Sequence, residues 1–255
     1  MSPVENDLPS SGCSTSPELA YLQLLHLADS AFPIGALSHS FGIESMVSAG
    51  LLATPDLEIF LRGYLEETGV VEAVFCREAV RLAREAASDF PSARWRDLND
   101  QLAALKPARE ARSGSAALGR NFLRAVLALG ECVILRQALE ATDEPSRPDS
   151  FDCRSGIIEH STALGLVGGA LHFDEDSVVL AYLHQFVSSS VSAFQRLLPL
   201  GQTQATRILW NLKQVIIEAA SCSAGLSLDN LSSFTPLLDW GAMEHPALST
   251  RLFIS

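Results

Sequence analysis

The sequence predicts an all-α fold, a single-domain bundle of roughly ten helices, on three observations. Apolar residues recur at helical spacing, i, i+3, i+4 and i+7, in one segment after another. Corners of Pro, Gly, Ser and Asp separate these segments, and such residues interrupt or cap helices. The texture is the same on both sides of the one convincing internal loop, Asp143 to Ser150 with Pro145 and Pro148, so a single domain is expected over residues 18–255. With 255 residues there is ample apolar material for one large core. Hydrophobic residues make up 47% of the chain and charged ones 19%, a lean charge content that fits either a large helical core or a surface covered by self-association or a protein partner.

In chain order, Tyr21, Leu22, Leu24, Leu25, Leu27 and Ala28 cover more than half the circumference of a first helix, as expected for one packed on several sides. His26 lies in it and reads as structural rather than as a ligand. Pro33 and Gly35 end that run, and a second helix is expected from about Ser38, whose hydroxyl can cap it, to a stop at Gly50. Thr54-Pro55-Asp56 starts a third, with Leu57, Phe60, Leu61, Tyr64 and Leu65 as its buried stripe. Gly69 interrupts, and Val71, Val74, Phe75, Ala79, Leu82 and Ala83 resume the pattern. Arg77, Glu78, Arg81, Arg84 and Glu85 fall mostly on the other face and read as a solvated, ion-paired surface.

After the break at Phe90-Pro91-Ser92, Trp95, Leu98 and Leu102 mark a polar helix through Leu105. The charge run Ala108 to Ser113 leads into a helix buried through Leu118, Phe122, Ala125, Val126, Leu129 and Val133. Gly165, Gly168 and Gly169 match neither phosphate-loop pattern, and small residues at this spacing let two helix backbones approach closely. Val179, Leu183, Phe186, Val187, Phe194 and Leu198 form the next stripe. Pro199 and Gly201 then turn the chain, and Gln202 or Thr203 can cap a helix carrying Ile208, Leu212, Val215, Ile216 and Ala219. The last residues, Leu252-Phe253-Ile254 beside Arg251, are too apolar to lie free in water; either a groove of the same protein or a partner protein covers them.

The bulk numbers exclude several classes. Net charge is −12, from 18 Lys plus Arg against 30 Asp plus Glu, which repels nucleic acid. Charged or polar residues interrupt every apolar run before it reaches a bilayer-spanning length, so no membrane association is expected. Residues 1–17, rich in Ser and Pro, read as a disordered lead. Five scattered cysteines, Cys13, Cys76, Cys132, Cys153 and Cys222, argue against a disulfide framework and for a reducing, cytoplasmic location. No His-x-His, His-x-x-x-His or His-Glu-x-x-His occurs among the six histidines, and no nucleophile, base and acid stand at a triad's spacing, so neither a metal site, a cofactor site nor catalysis is expected.

Several segments carry a family resemblance. Pro33-Ile34-Gly35 followed by His39-Ser40, Gly42 and Glu44 resembles the N-terminal signature of the urease accessory protein UreF family. The run from Arg109 to Gly119-Arg120 with Phe122-Leu123 is similar to a mid-chain pattern of that family. Phe194 to Thr203, ending in Leu198-Pro199-Leu200-Gly201-Gln202, and the tail from Met243 and His245 to Arg251-Leu252-Phe253-Ile254-Ser255 resemble its later segments. Together the resemblance spans about residues 19–255.

The resemblance implies an all-helical, dimer-forming, non-catalytic chaperone of nickel-centre assembly. It would bridge UreD (also called UreH) and the GTPase UreG on the urease apoprotein, and modulation of GTP hydrolysis by UreG is among the roles implied. Carried over residue by residue, it makes Pro33, Gly35, Leu37, His39, Glu44, Arg196, Gln202, Arg251, Leu252 and Phe253 partner-facing, with Arg120 a further arginine in a matched segment. A nickel carrier built on distant histidines and a helical scaffold of some other complex are the competing readings.

Overall fold

The computed structural model describes residues 16–86, 89–143 and 156–255, whose regular elements are all helices, with no strand among them. The first two helices are α1 (Pro17–Leu27) and α2 (Ile43–Ser48). Next, α3 (Leu57–Tyr64) runs through a π-helical turn, Leu65–Gly69, directly into α4 (Val70–Glu85). The middle of the chain forms α5 (Ser92–Ala104), α6 (Arg109–Leu127), α7 (Val133–Asp143) and α8 (His160–Ala170). The remainder forms α9 (Glu175–Leu197), α10 (Gln202–Asn211), α11 (Lys213–Ala224) and α12 (Pro236–Glu244). The expected disordered lead lies outside the described residues up to position 15, and the expected internal loop lies outside them from 144 onward. Pro17 is already helical, capped by Ser16, whose Oγ accepts from the Leu19 amide.

The core is one continuous apolar cluster centred on the pair α4 and α8. Every residue from His160 to Gly169 is buried. The small-residue stripe accounts for this, because a Cβ at Gly165 would stand 2.2 Å from the Cys76 carbonyl oxygen and one at Gly169 2.3 Å from that of Val80. The α8 backbone therefore lies directly on α4, as the glycine spacing predicts, and α6, α7 and α9 pack around it. Trp95, fully buried on α5, donates its indole N–H to the Ala138 carbonyl 3.2 Å away and ties α5 to α7.

Two expectations fail on packing grounds. Arg77 is buried at 3% exposure rather than solvated. It pairs with Glu175 at 3.0 Å and Asp176 at 2.7 Å while donating to Ser223 Oγ and the Ala220 carbonyl, so one guanidinium joins α4, α9 and α11. Helix α1 is the opposite case: only Leu27 is buried, and Leu19, Tyr21, Leu22 and Leu25 are at least half exposed. It leans on α9 along one edge, and among the described residues its outer side stays exposed. α9 alone among the described helices is long and apolar enough to cross a bilayer on length and composition. More than half of that stretch is buried, against α4, α8, α10 and α11.

Candidate partner-binding site

The corner after α1 and the chain's last residues form one surface. Glycine at 35 (φ 85°) and 42 (φ 92°) supplies the left-handed backbone that the corner needs, and a short 3-10 turn, Ala36–Ser38, lies between them. Ser38 does not start an α-helix; α2 begins at Ile43 with Gly42 as its cap. Residues 38–41 do not continue into an α-helix, and their backbone is used by the tail. The Ile254 amide donates to the Ser38 carbonyl at 2.8 Å, and the amides of Ser40 and Phe41 both donate to the Ser255 oxygen, the latter at 3.2 Å. At the other end, Gly42 and Gly241 bring α2 and α12 into backbone contact; a Cβ on Gly42 would meet the Ala242 nitrogen at 2.6 Å.

Glu44 is the pin of this arrangement. It is 5% exposed, and its carboxylate accepts from the Leu252 amide at 2.6 Å and the Phe253 amide at 3.2 Å. The same carboxylate faces Nε2 of fully buried His245 at 2.9 Å, while Nδ1 of that ring faces Glu110 at 2.6 Å. Glu110 also accepts from Arg251 at 3.3 Å. On the outer side Arg196 donates to the Leu37 carbonyl at 2.7 Å and the Leu252 carbonyl at 3.1 Å, and its guanidinium lies 4.1 Å from the centre of the Phe253 ring. His39 Nδ1 sits 2.6 Å from the Ser255 hydroxyl, and burial holds its ring below the usual imidazole range.

Of the two occupants weighed for the apolar tail, the groove of the same protein thus receives Phe253 and Ser255, both 4% exposed. Leu252 (56%), Ile254 (68%) and Leu37 (46%) remain exposed around them, as do Pro33, Gly35, Arg196 and Arg251. Gln202 opens α10, is exposed and makes no cap bond; the cap position belongs to Gly201. The structure therefore gathers Leu37, His39, Glu44, Arg196, Arg251, Leu252 and Phe253 into a single contact network. Arg120 is engaged elsewhere, with Asp143 and the Gly156 carbonyl.

The sequence reading missed a buried charged cluster behind this surface. Lys106 bonds Glu72 at 2.8 Å and Glu159 at 2.5 Å. Glu72 also accepts from Ser161 at 2.5 Å and Tyr182 at 3.2 Å. Burial raises the Glu72 carboxyl, but Lys106 and the two hydroxyls outweigh it and hold the group below the usual range. At Glu159 burial wins and the pKa is raised. Burial also brings the neighbouring His160 down to about 4. The one available signal was helical phase, since Glu72 interrupts an otherwise apolar stretch of α4.

Sequence comparison supplies the family. The UreF family profile matches residues 53–213. The chain belongs to the UreF family. Among curated relatives named urease accessory protein UreF, that of Bradyrhizobium sp. (strain ORS 278) is 32% identical over 93% of this chain and 93% of its own. Those of Rhodopseudomonas palustris (strain HaA2), at 34% over 88% and 89%, and Picosynechococcus sp. (strain ATCC 27264 / PCC 7002 / PR-6), at 31% over 92% and 99%, are similar. For a UreF-family chain, the corner and tail that carried the resemblance are in mutual contact although about 200 residues apart.

Proposed function

We propose that this chain is a non-catalytic urease accessory protein, an adaptor that works in the cytoplasm on assembly of the urease nickel centre. The observation that carries the reading is family membership over nearly the whole chain, in a family whose curated relatives bear that name. In this role it bridges UreD (UreH) and UreG on the urease apoprotein, as a homodimer within the complex, and supports nickel insertion. The partner-facing set is Pro33, Gly35, Leu37, His39, Glu44, Arg196, Gln202, Arg251, Leu252 and Phe253. Within it Leu37, Leu252 and Arg251 are exposed to meet a partner, while Glu44, Arg196 and Phe253 hold the surface in shape. Apolar surface covered on docking contributes roughly 25 cal/mol per Å².

Co-purification with a UreD-like protein tests the reading directly. Arg251→Ala, or removal of residues 251–255, is expected to weaken capture of partners while helix content by circular dichroism stays unchanged. Undiminished capture by both variants overturns the assignment of the tail. Equilibrium dialysis of the isolated chain against nickel separates the adaptor from a carrier, for which tight stoichiometric binding is expected.

A further inference from the structure

Between α4, α6, α8, α9 and the segment 233–242 lies a cavity of about 90 Å³ that the adaptor role does not use. Glu72, Lys106, Thr68, His160, Tyr182 and Asp239 line it, among further aromatic and apolar side chains. Two lining groups meet no partner: Nε2 of His160, a residue only 9% exposed, and Oγ1 of Thr68. Buried polar atoms without partners are uncommon in folded proteins, and each calls for a physical explanation, an ordered water or a bound ion among them. A smaller adjoining cavity of about 30 Å³ shares His160, Phe41, Leu118 and Phe186, and its Gln185 Oε1 is likewise without a partner.

The charge of the site selects the ligand. Lys106 is the one cation among the described lining residues, and its ammonium is already bound by Glu72 and Glu159. Nothing is left to hold an anion. Asp239 adds a second lining carboxyl, which burial pushes up despite the Thr235 bond and which has no cation against it among the residues of the cavity wall. A metal ion fits poorly: both Glu72 oxygens are committed, and no group of three or more His, Cys, Asp or Glu that could hold one gathers among the described residues. An apolar guest would leave His160 and Thr68 unsatisfied. A cation with several N–H donors satisfies all of these conditions, and the rings of Phe41, Tyr64, Tyr182 and Phe186 in the wall favour positive charge.

We propose that this cavity binds an ammonium group, R–NH3+, which donates to His160 Nε2, Thr68 Oγ1 and the Asp239 carboxylate and balances the acidic excess. By the scale on which a cavity of about 150 Å³ takes benzene, the space holds roughly three to four heavy atoms, so R is hydrogen or a short alkyl chain. A free small amine and the end of a partner's lysine side chain share this chemistry. Neutral His160, with its pKa down at about 4, keeps one ring nitrogen free to accept at physiological pH.

The test is a titration of the full chain, its histidine rings labelled with nitrogen-15, at pH 7.5. Ammonium, methylammonium and n-butylammonium chlorides are compared with sodium and tetramethylammonium chlorides at equal ionic strength. The His160 ring signals are expected to shift saturably with the N–H-bearing cations and not with tetramethylammonium. At ten times Kd the melting temperature should rise by about 3 °C. Affinity that peaks at methylammonium assigns a free amine; affinity that rises through n-butylammonium assigns a lysine end whose stem occupies the mouth. Asp239→Asn and Thr68→Val, which change no core packing volume, should each weaken binding at least tenfold. Absence of a saturable shift at His160, an equal response to tetramethylammonium, or unchanged affinity in both variants overturns the proposal.

Discussion

Helices α1 and α8 are both eleven residues long and both apolar on most of their circumference, yet one lies on the surface and the other at the centre. The difference is side-chain size and what lies opposite. α8 carries Gly165 and Gly169, which let α4 rest on its backbone, and Gly168, which admits Val178 of α9, so every residue from His160 to Gly169 is covered. α1 carries Leu19, Tyr21, Leu22 and Leu25, which hold any neighbour at full side-chain distance, and among the described residues these side chains are left at least half exposed. Apolar circumference therefore announces that a helix will be covered, not by what. α8 is covered from within; α1 presents an apolar face of the kind that partner proteins cover.

The contrast is broken most severely at the α4–α8 contact. Gly165→Ala places a methyl 2.2 Å from the Cys76 carbonyl, a backbone atom that cannot yield, and is expected to cost more than ~3 kcal/mol, read as loss of cooperative thermal unfolding. Acid attacks the same core through His160. Its folded pKa, about 4, lies below the unfolded value of 6.5, so the unfolded chain binds the extra proton between these values. Stability from this group is complete above pH 6.5 and falls as pH drops toward 4, by up to about 3 kcal/mol, measurable by urea titration across that window. His160→Phe should flatten that part of the profile.

At the tail the effect is smaller and local. Glu44→Gln removes the charge that accepts from the Leu252 and Phe253 amides and is expected to cost about 1–3 kcal/mol. Amide exchange should speed up roughly tenfold or more at residues 252–254 while α4 and α8 keep their protection. The smallest effect belongs to α1: Leu22→Ser, on a side chain 62% exposed, should alter the isolated chain's stability by less than about 0.5 kcal/mol. If the same variant also leaves partner capture intact, the exposed face of α1 is not an interface.

Much of the bundle was legible in the residues. The stripes of α3, α4, α9 and α11, the stop at Gly50 and the glycine contact of α8 follow from local spacing and side-chain size. That of α6 holds at Leu118, Phe122 and Val126 but fails at its end, because the helix stops at Leu127, and Leu129, on the turn into α7, and Val133, which opens α7, are exposed. Arg77 was misread because a charge near the edge of an apolar stripe looks solvated until Glu175, Asp176 and Ser223 arrive from distant segments. Ser38 was misread because a hydroxyl after a Pro-Gly corner is a good helix cap, and nothing local announces a tail that claims the same backbone. The corner and the tail were each singled out on their own, but their union through Glu44 was invisible.

By itself, then, the sequence determined the helical class, most of the buried stripes and the family, because propensity, capping and periodicity act within a few residues. Only the tertiary structure decided which charges pair, that Glu44 holds a tail about 200 residues away, and that a polar cavity remains beside Lys106. Those outcomes depend on which distant atoms come within about 3 Å of one another, and hydrogen bonds and ion pairs at that range are set by packing rather than by any local pattern.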